Sequence, residues 1–218
     1  MILPKAIIFD LDGTLIHSAP DIHAAANEAL KGVGRAPLDL PTIISFIGNG
    51  MEALVARCLD ATGGGNARLQ QTTYDLLLAS YTANMTILTR PYPGVVPSLE
   101  GFRASGIPLG ICTNKLDQPA RDICDALDLS RHFEVIAGAI PDRPKKPDPH
   151  SLLLCCEQLG VRPGQALYVG DSAIDYYTAR NARVPFRLFS EGYLNDFLPD
   201  LADADRFSSW ATHGIIVS

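Results

Sequence analysis

Short runs of apolar residues recur along the chain, and each is followed by a turn signal or by polar residues. The positions within a run are apolar without interruption, which is typical of parallel strands that helices cover on both faces. The pattern therefore predicts the α/β fold class, with a doubly wound parallel sheet at its centre. Five runs are assigned to strands, at Ala6–Phe9, Pro108–Cys112, Glu134–Ala137, Ala166–Val169 and Phe186–Phe189.

The segment between the first and second strands is far longer than a single crossover helix requires. Its apolar spacing and its glycine and proline stops favour helices, so we expect a small all-helical domain inserted into the core. The core then comprises residues 1–15 and 91–218, and the helical domain comprises residues 16–90. Its helices are assigned to Ala19–Gly32, Pro41–Phe46, Met51–Ala61 and Ala67–Tyr81.

Composition and charge narrow the class of ligand. Eighteen basic and 24 acidic residues give a net charge of −6, and no basic block stands out, so we expect neither nucleic acid nor an anionic membrane as a partner. No apolar run reaches transmembrane length and no cleavable leader is recognisable, which favours a cytoplasmic location. The five cysteines have no metal-ligand spacing, and we expect them to be buried and reduced. A small molecule is the expected ligand.

Polar residues follow the first two strands where each ends. Asp10 and Asp12 come directly after Ala6–Phe9, and residues one apart at a strand end can face one pocket. Such carboxylates suit a metal ligand, a nucleophile or a general acid, although an acidic turn or helix cap is the alternative. Thr113 and Asn114 follow the second strand and could bind an anion, or could merely cap the next helix.

Two later segments add charges of both signs. The proline-rich loop Pro141–His150 presents Lys145 and Lys146, which could meet a phosphate or remain solvated. The fourth strand ends at Asp171, and Asp175 follows one helical turn later. Four carboxylates converging on one point would repel each other strongly unless a cation lay among them. Hard oxygen ligands of this kind suit Mg²⁺.

These motifs together resemble those of the haloacid dehalogenase superfamily, over nearly the whole chain. The match comprises Asp10-x-Asp12-Gly13-Thr14, Thr113-Asn114, Lys146 before Pro-Asp-Pro, and Gly170-Asp171-x-x-x-Asp175, with the helical insertion at the position of the C1 cap. The resemblance implies a phosphatase that works through an aspartyl-phosphate.

The resemblance also implies a role for each matching residue. Asp10 would be the nucleophile and Asp12 the general acid and base, while Thr113, Asn114 and Lys146 would hold the phosphoryl group. Lys145 is the fallback for Lys146. Mg²⁺ would be bound by the Asp10 carboxylate, the Asp12 carbonyl oxygen and Asp171, with Asp175 as an outer or water-mediated partner.

Within the superfamily the chain looks most similar to the phosphoglycolate phosphatase group. The shared stretches include "FIGNGMEALV", in which the cap loop Gly48-Asn49-Gly50 is expected to contact the non-phosphate part of the substrate. An interhelical turn that needs glycine is the alternative for this loop. We therefore expect hydrolysis of a small phosphorylated metabolite, with 2-phosphoglycolate the leading candidate, by a monomer or homodimer.

Two residues depart from the sequence pattern that is usual in this family. His17 stands where an acidic residue is usual, which affects hinge contacts or substrate preference, and Arg183 stands where glycine is common.

A phosphosugar mutase or a sugar-phosphate phosphatase is the enzymatic alternative. A Mg²⁺-binding phospho-receiver module is the non-enzymatic one. Asp12 argues against a dehalogenase because a halide leaves without a proton.

Overall fold

The structure is a computed structural model that describes residues 3–194, 196, 198 and 200–211. Six strands form one sheet in the order β5-β4-β1-β6-β7-β8, and every neighbouring pair is parallel. Because all six run the same way, their carboxyl ends meet at one edge. Their bounds are β1 Ala6–Phe9, β4 Leu109–Leu116, β5 Val135–Ala139, β6 Ala166–Gly170, β7 Phe186–Phe189 and β8 Arg206–Phe207. The expected α/β fold is confirmed.

The second strand of the core differs from its predicted bounds. β4 extends to Leu116 instead of stopping at Cys112, because Leu116 pairs with Ala139 of β5 after a shift of register. Thr113 and Asn114 therefore lie within an irregular end of β4. Neither caps a helix, since α6 (Asp117–Ala126) begins later.

Helices cover the sheet and carry much of the core. Beside α6 they are α5 Val95–Ala104, α7 His150–Gln158 and α8 Ala173–Ala182. Arg183 is the C-cap that follows α8, and its φ of 56° lies in the left-handed region that glycine adopts more easily. This conformation explains why glycine suits the position. All five cysteines are buried and unpaired, as expected.

The chain divides into two compact units, one formed by Met1–His17 with Pro91–Ser218 and the other by Ser18–Arg90. The second unit is all helical, with α1 Ala19–Gly32, α2 Leu40–Phe46, α3 Met51–Ala61 and α4 Ala67–Asn84. Helix α4 continues past the predicted end at Tyr81, since no glycine or proline interrupts it there. Two short strands, β2 (Ile16–His17) and β3 (Arg90–Pro91), pair where the chain passes between the units.

A buried carboxylate fixes the ends of the helical unit to each other. Asp21 in the first turn of α1 accepts hydrogen bonds from the backbone N–H groups of Leu88 and Thr89, at 3.0 and 2.8 Å.

Within the described ranges, the helices all fall short of the combined length and apolarity that a membrane span demands.

Candidate active site

Asp10 follows β1 directly and lies at the carboxyl edge of the sheet, with only 7% of its surface exposed. Its Oδ1 lies 3.0 Å from the Lys146 ammonium, but it accepts no well-aligned hydrogen bond from any residue that the structure describes. Burial, partly offset by Lys146 and reinforced by the charge of Asp175, raises the pKa of Asp10 to about 6. A buried carboxylate oxygen with this geometry is suited to a metal ion or to a reacting group.

The turn after β1 lies close to Asp171, the residue that directly follows β6. Gly13 has a φ of +85°, and a Cβ there would come within 2.2 Å of Asp171 Oδ2. Thr14 Oγ1 donates to Asp171 Oδ1 at 2.6 Å, and the Tyr193 N–H donates to Oδ2 at 2.6 Å. Burial, followed by the charges of Asp175 and Asp10, raises the pKa of Asp171 well above its ordinary value.

Asp175 lies in the first turn of α8 and is completely buried. Lys146 Nζ donates to its Oδ1 at 2.6 Å, and the Tyr168 hydroxyl lies 2.8 Å from the same atom. Its Oδ2 accepts from the Ser172 hydroxyl at 2.5 Å and from the backbone N–H groups of Ser172 and Asp171. Although burial raises the pKa of Asp175, Lys146 and these hydrogen bonds lower it overall.

Three carboxylates meet closely enough to hold one cation. Asp10, Asp171 and Asp175 each offer an oxygen within 4.8 Å of the others. Both oxygens of Asp175 already accept several hydrogen bonds, so Asp10 and Asp171 are the better direct ligands. Buried carboxylate oxygens suit Mg²⁺, and here the pKa values of Asp10 and Asp171 are raised and the Asp10 Oδ1 atom lacks a well-aligned donor.

Lys146 is buried among these carboxylates, in the loop before α7. Burial lowers its pKa, but the charges of Asp10 and Asp175 raise it above the ordinary value of lysine. Asn114 fixes the lysine backbone, because its Oδ1 accepts from the Lys146 N–H at 2.8 Å and its Nδ2 donates to the Lys146 carbonyl at 3.1 Å. Asn114, predicted to bind substrate, thus has a positioning contact in the structure.

Tyr168 of β6 completes the surroundings of Lys146. Lys146 Nζ donates to its hydroxyl at 3.0 Å, and the hydroxyl lies 3.0 Å from the Cys112 carbonyl oxygen. Burial raises the pKa of Tyr168 well above its ordinary value, so the phenol keeps its proton. Tyr168 lies within the apolar run that predicts β6, and no local signal in the sequence distinguishes it from its neighbours.

Asp12 and Thr113 lie beside this cluster. The Asp12 side chain is 13% exposed and forms an ion pair with Lys115 of β4, whose Nζ lies 3.0 Å from both carboxylate oxygens. Thr113 is buried, and its Oγ1 accepts from the Lys115 N–H at 3.2 Å. The carboxylate of Asp12 is therefore engaged by Lys115, which leaves its backbone carbonyl for the predicted metal contact. Lys115 was not singled out from the sequence, because its partner is 103 residues away.

His17 belongs to a small aromatic group next to Asp171. Its Nδ1 lies 3.0 Å from the Tyr193 hydroxyl and 3.4 Å from the Tyr92 hydroxyl. Burial lowers the pKa of His17, which favours the neutral ring. The segment that carries Tyr193 also contains Gly192, where a Cβ would meet Asp171 Cβ at 2.3 Å.

The loop Gly48-Asn49-Gly50 belongs to the helical unit. Gly48 and Gly50 have φ values of +118° and +89°, and Gly50 is the N-cap of α3. Asn49 Oδ1 accepts from Arg57 Nη2 at 2.7 Å. The positive φ values explain the two glycines as parts of a turn. The substrate contact expected of this loop stays a prediction.

Comparisons with known proteins agree with the geometry. The family model of haloacid dehalogenase-like hydrolases matches residues 4–183. A phosphoglycolate phosphatase of Cereibacter sphaeroides is 41% identical over 203 residues, which cover 93% of this chain and 92% of the relative. A phosphoglycolate phosphatase of Rhodospirillum rubrum is 38% identical over 217 residues, covering 97% of this chain and 90% of the relative.

A solved structure is similar over almost the full length. The crystal structure of a protein described as a predicted phosphoglycolate phosphatase from Haemophilus somnus superposes with a TM-score of 0.88 at 28% identity. The superposition covers 97% of this chain and 96% of the other.

Proposed function

Since the chain belongs to the haloacid dehalogenase-like hydrolase family, we propose that it is a Mg²⁺-dependent phosphatase of small phosphate monoesters, with 2-phosphoglycolate the leading substrate. The observation that carries this proposal is the meeting of Asp10, Asp171 and Asp175 with Lys146 at one sheet edge. A nucleophile, a cation site and a fixed positive charge are the parts that phosphoryl transfer needs. The relatives named above support the choice of substrate.

In the first step the Asp10 carboxylate attacks phosphorus. The bond from phosphorus to the ester oxygen breaks, and its electron pair stays on that oxygen, which receives a proton from Asp12. An alcohol leaves and an aspartyl-phosphate remains on Asp10. Asp12 suits this role because it follows Asp10 by two residues, so that both side chains can face one phosphorus, and because it lies outside the carboxylate cluster.

In the second step Asp12, now ionised, takes a proton from water as the water oxygen attacks phosphorus. The bond between phosphorus and Asp10 breaks, and its electron pair returns to the carboxylate. Lys146 and the Thr113 hydroxyl hold the phosphoryl oxygens during both steps. Asn114, Tyr168 and Asp175 support catalysis by keeping Lys146 in place.

The residues that would hold Mg²⁺ are Asp10, Asp171 and the Asp12 carbonyl, while Asp175 acts through its hydrogen bonds to Ser172 and Lys146. When bound, the ion supplies positive charge to the phosphoryl oxygens and relieves the repulsion among the buried carboxylates.

Phosphate release tests this function directly. The chain is assayed with 2-phosphoglycolate, several sugar phosphates and p-nitrophenyl phosphate, with Mg²⁺ or with EDTA, beside an Asp10→Asn control. We expect Mg²⁺-dependent release, with the highest kcat/KM for 2-phosphoglycolate. A higher kcat/KM for a sugar phosphate would remove the substrate assignment only. Conversion of a sugar phosphate into an isomer without free phosphate would favour a mutase, and release equal to that of Asp10→Asn would overturn the phosphatase.

A further inference from the structure

Lys115 is a buried cation that the two steps above do not use. Its side chain is 6% exposed, and its Nζ lies 3.0 Å from each oxygen of the Asp12 carboxylate. Burying the Lys115 side chain costs side-chain entropy and hydration. The contact with Asp12 therefore belongs to the site and is not a surface ion pair.

The irregular end of β4 positions Lys115 beside the Asp12 carboxylate. The residue comes two positions after Thr113, and its N–H donates to the Thr113 hydroxyl at 3.2 Å. The segment that presents a phosphate-binding hydroxyl therefore also presents an ammonium group. The pairing of Leu116 with Ala139 fixes the far end of the segment, which limits how far Lys115 can move.

The two buried lysines of the site serve different carboxylates. Lys146 contacts Asp10 and Asp175, on the side where the phosphoryl group is attacked. Lys115 contacts Asp12, the residue that protonates the leaving alcohol in the proposed first step. Positive charge is thus placed next to the leaving group as well as next to phosphorus.

The position of Asp12 fixes what part of a substrate Lys115 can reach. A general acid must lie within hydrogen-bond distance of the ester oxygen that it protonates. A cation in contact with that acid then lies close to the atoms bonded to the ester carbon. In 2-phosphoglycolate the ester oxygen and the carboxylate are attached to the same methylene carbon, so the carboxylate falls in this region.

We propose that Lys115 determines substrate specificity, by binding a carboxylate attached to the carbon that carries the phosphate ester. This inference rests on the proposed phosphatase function and narrows its substrates to phosphate esters of α-hydroxy acids. An ammonium group donates several hydrogen bonds, so Lys115 can exchange one of them for a bond to the substrate carboxylate while it remains near Asp12.

The experiment compares two substrates that differ in one charge. 2-Phosphoglycolate and 2-phosphoglycolamide have nearly the same shape, but the second carries a neutral amide in place of the carboxylate. We expect wild type to prefer 2-phosphoglycolate and Lys115→Met to lose about 10- to 100-fold of this preference in kcat/KM, which is the worth of a hydrogen bond between charged groups. Lys115→Arg, which keeps the charge, should recover part of the preference.

Two further variants separate specificity from folding. Lys5→Met removes an exposed lysine of the same unit and should leave the preference unchanged. Lys115→Gln keeps a polar group beside Asp12, and it replaces Lys115→Met if thermal unfolding shows that the latter is not folded. Either substitution should lower the preference for the carboxylate.

The outcomes distinguish this inference from the proposed function. If Lys115→Met lowers kcat/KM equally for both substrates, Lys115 acts only on Asp12 and the specificity role is wrong. If wild type does not prefer the carboxylate, the inference is wrong while the phosphatase stands. If wild type hydrolyses neither substrate but does hydrolyse p-nitrophenyl phosphate, the inference and the assignment of 2-phosphoglycolate are wrong, while the phosphatase stands. Hydrolysis of none of the three overturns both.

Discussion

At the scale of single residues, Asp12 and Asp171 should behave differently when each is replaced. We expect Asp12→Ala to lower turnover by about 100-fold or more, since it removes a general acid and base. It should keep the rise in Tm that Mg²⁺ causes, because only its backbone carbonyl is proposed to contact the ion. Asp171→Asn should lose that rise. Loss of the Mg²⁺ effect in Asp12→Ala, with retention in Asp171→Asn, would contradict these roles.

The raised pKa values of Asp10 and Asp171 predict how the Mg²⁺-induced rise in Tm changes with pH. Mg²⁺ binds the deprotonated carboxyls, and a raised pKa means that the metal-free protein keeps these protons to a higher pH. The Mg²⁺-induced rise in Tm should therefore be full well above the Asp10 pKa of about 6 and should shrink as the pH falls through that value. Thermal unfolding with and without Mg²⁺ measures this, and an effect independent of pH would count against it.

Tyr168 offers a test of how Lys146 is positioned. Tyr168→Phe removes the hydroxyl that lies between Lys146, Asp175 and the Cys112 carbonyl. We expect kcat to fall by about 10- to 100-fold through misplacement of the lysine, and the free energy of unfolding to fall by about 1–3 kcal/mol.

Tyr177→Phe is the matched control for this test, because Tyr177 is 43% exposed on α8. It should leave both kcat and the free energy of unfolding close to wild type. If Tyr168→Phe behaves like this control, the hydroxyl does not position Lys146.

At the scale of elements, the segment after β7 and the turn after β1 approach each other around Asp171. A Cβ on Gly192 would come within 2.3 Å of Asp171 Cβ and of the Gly13 carbonyl oxygen. Neither atom is the end of a flexible side chain, so Gly192→Ala should lower the free energy of unfolding by about 1–3 kcal/mol and weaken the Mg²⁺ effect on Tm.

Gly164→Ala is the control for this close approach, since nothing lies within 4 Å of the added Cβ. Chemical denaturation of both variants should show a change of no more than about 0.5 kcal/mol for Gly164→Ala. Equal stability of the two variants would show that the turns can separate without cost.

The elements that could be predicted are those with local signals. β1, β7, α1 and α3 have the bounds expected from the sequence, because continuous apolar runs or glycine and proline stops mark them. The end of β4 could not be predicted, since it depends on Leu116 pairing with Ala139 after a shift of register.

The residues of the site divide in the same way, into those with a local sequence signal and those without one. Asp10, Asp171, Asp175 and Lys146 were predictable because each occurs in a short motif at a strand end or in a proline-rich loop, and the structure brings them together. Tyr168 and Lys115 were missed, since their importance comes from partners distant in sequence. Hydrophobicity alone makes Tyr168 look like any other strand residue.

At the scale of the whole molecule, the chain comprises a core unit, which contains the proposed site, and a helical unit that interrupts it. All the contacts that carry the proposed chemistry lie between residues of the core unit, whose sheet brings strand ends distant in sequence to one edge. The substrate contact expected of the loop Gly48-Asn49-Gly50 in the helical unit stays a prediction.

The covalent step on Asp10 is the central claim, and the mass of the quenched protein tests it most directly. Wild type is mixed with 2-phosphoglycolate and Mg²⁺. Asp12→Asn is mixed with p-nitrophenyl phosphate and Mg²⁺, because p-nitrophenolate leaves without a proton from a general acid. Both are quenched in acid within milliseconds to seconds and digested for peptide mass spectrometry. We predict one added phosphoryl group on the peptide that contains Asp10, and none in Asp10→Asn. Release of phosphate by wild type with no phosphorylated peptide at any time, or an Asp10→Asn variant that still turns over, would contradict the account.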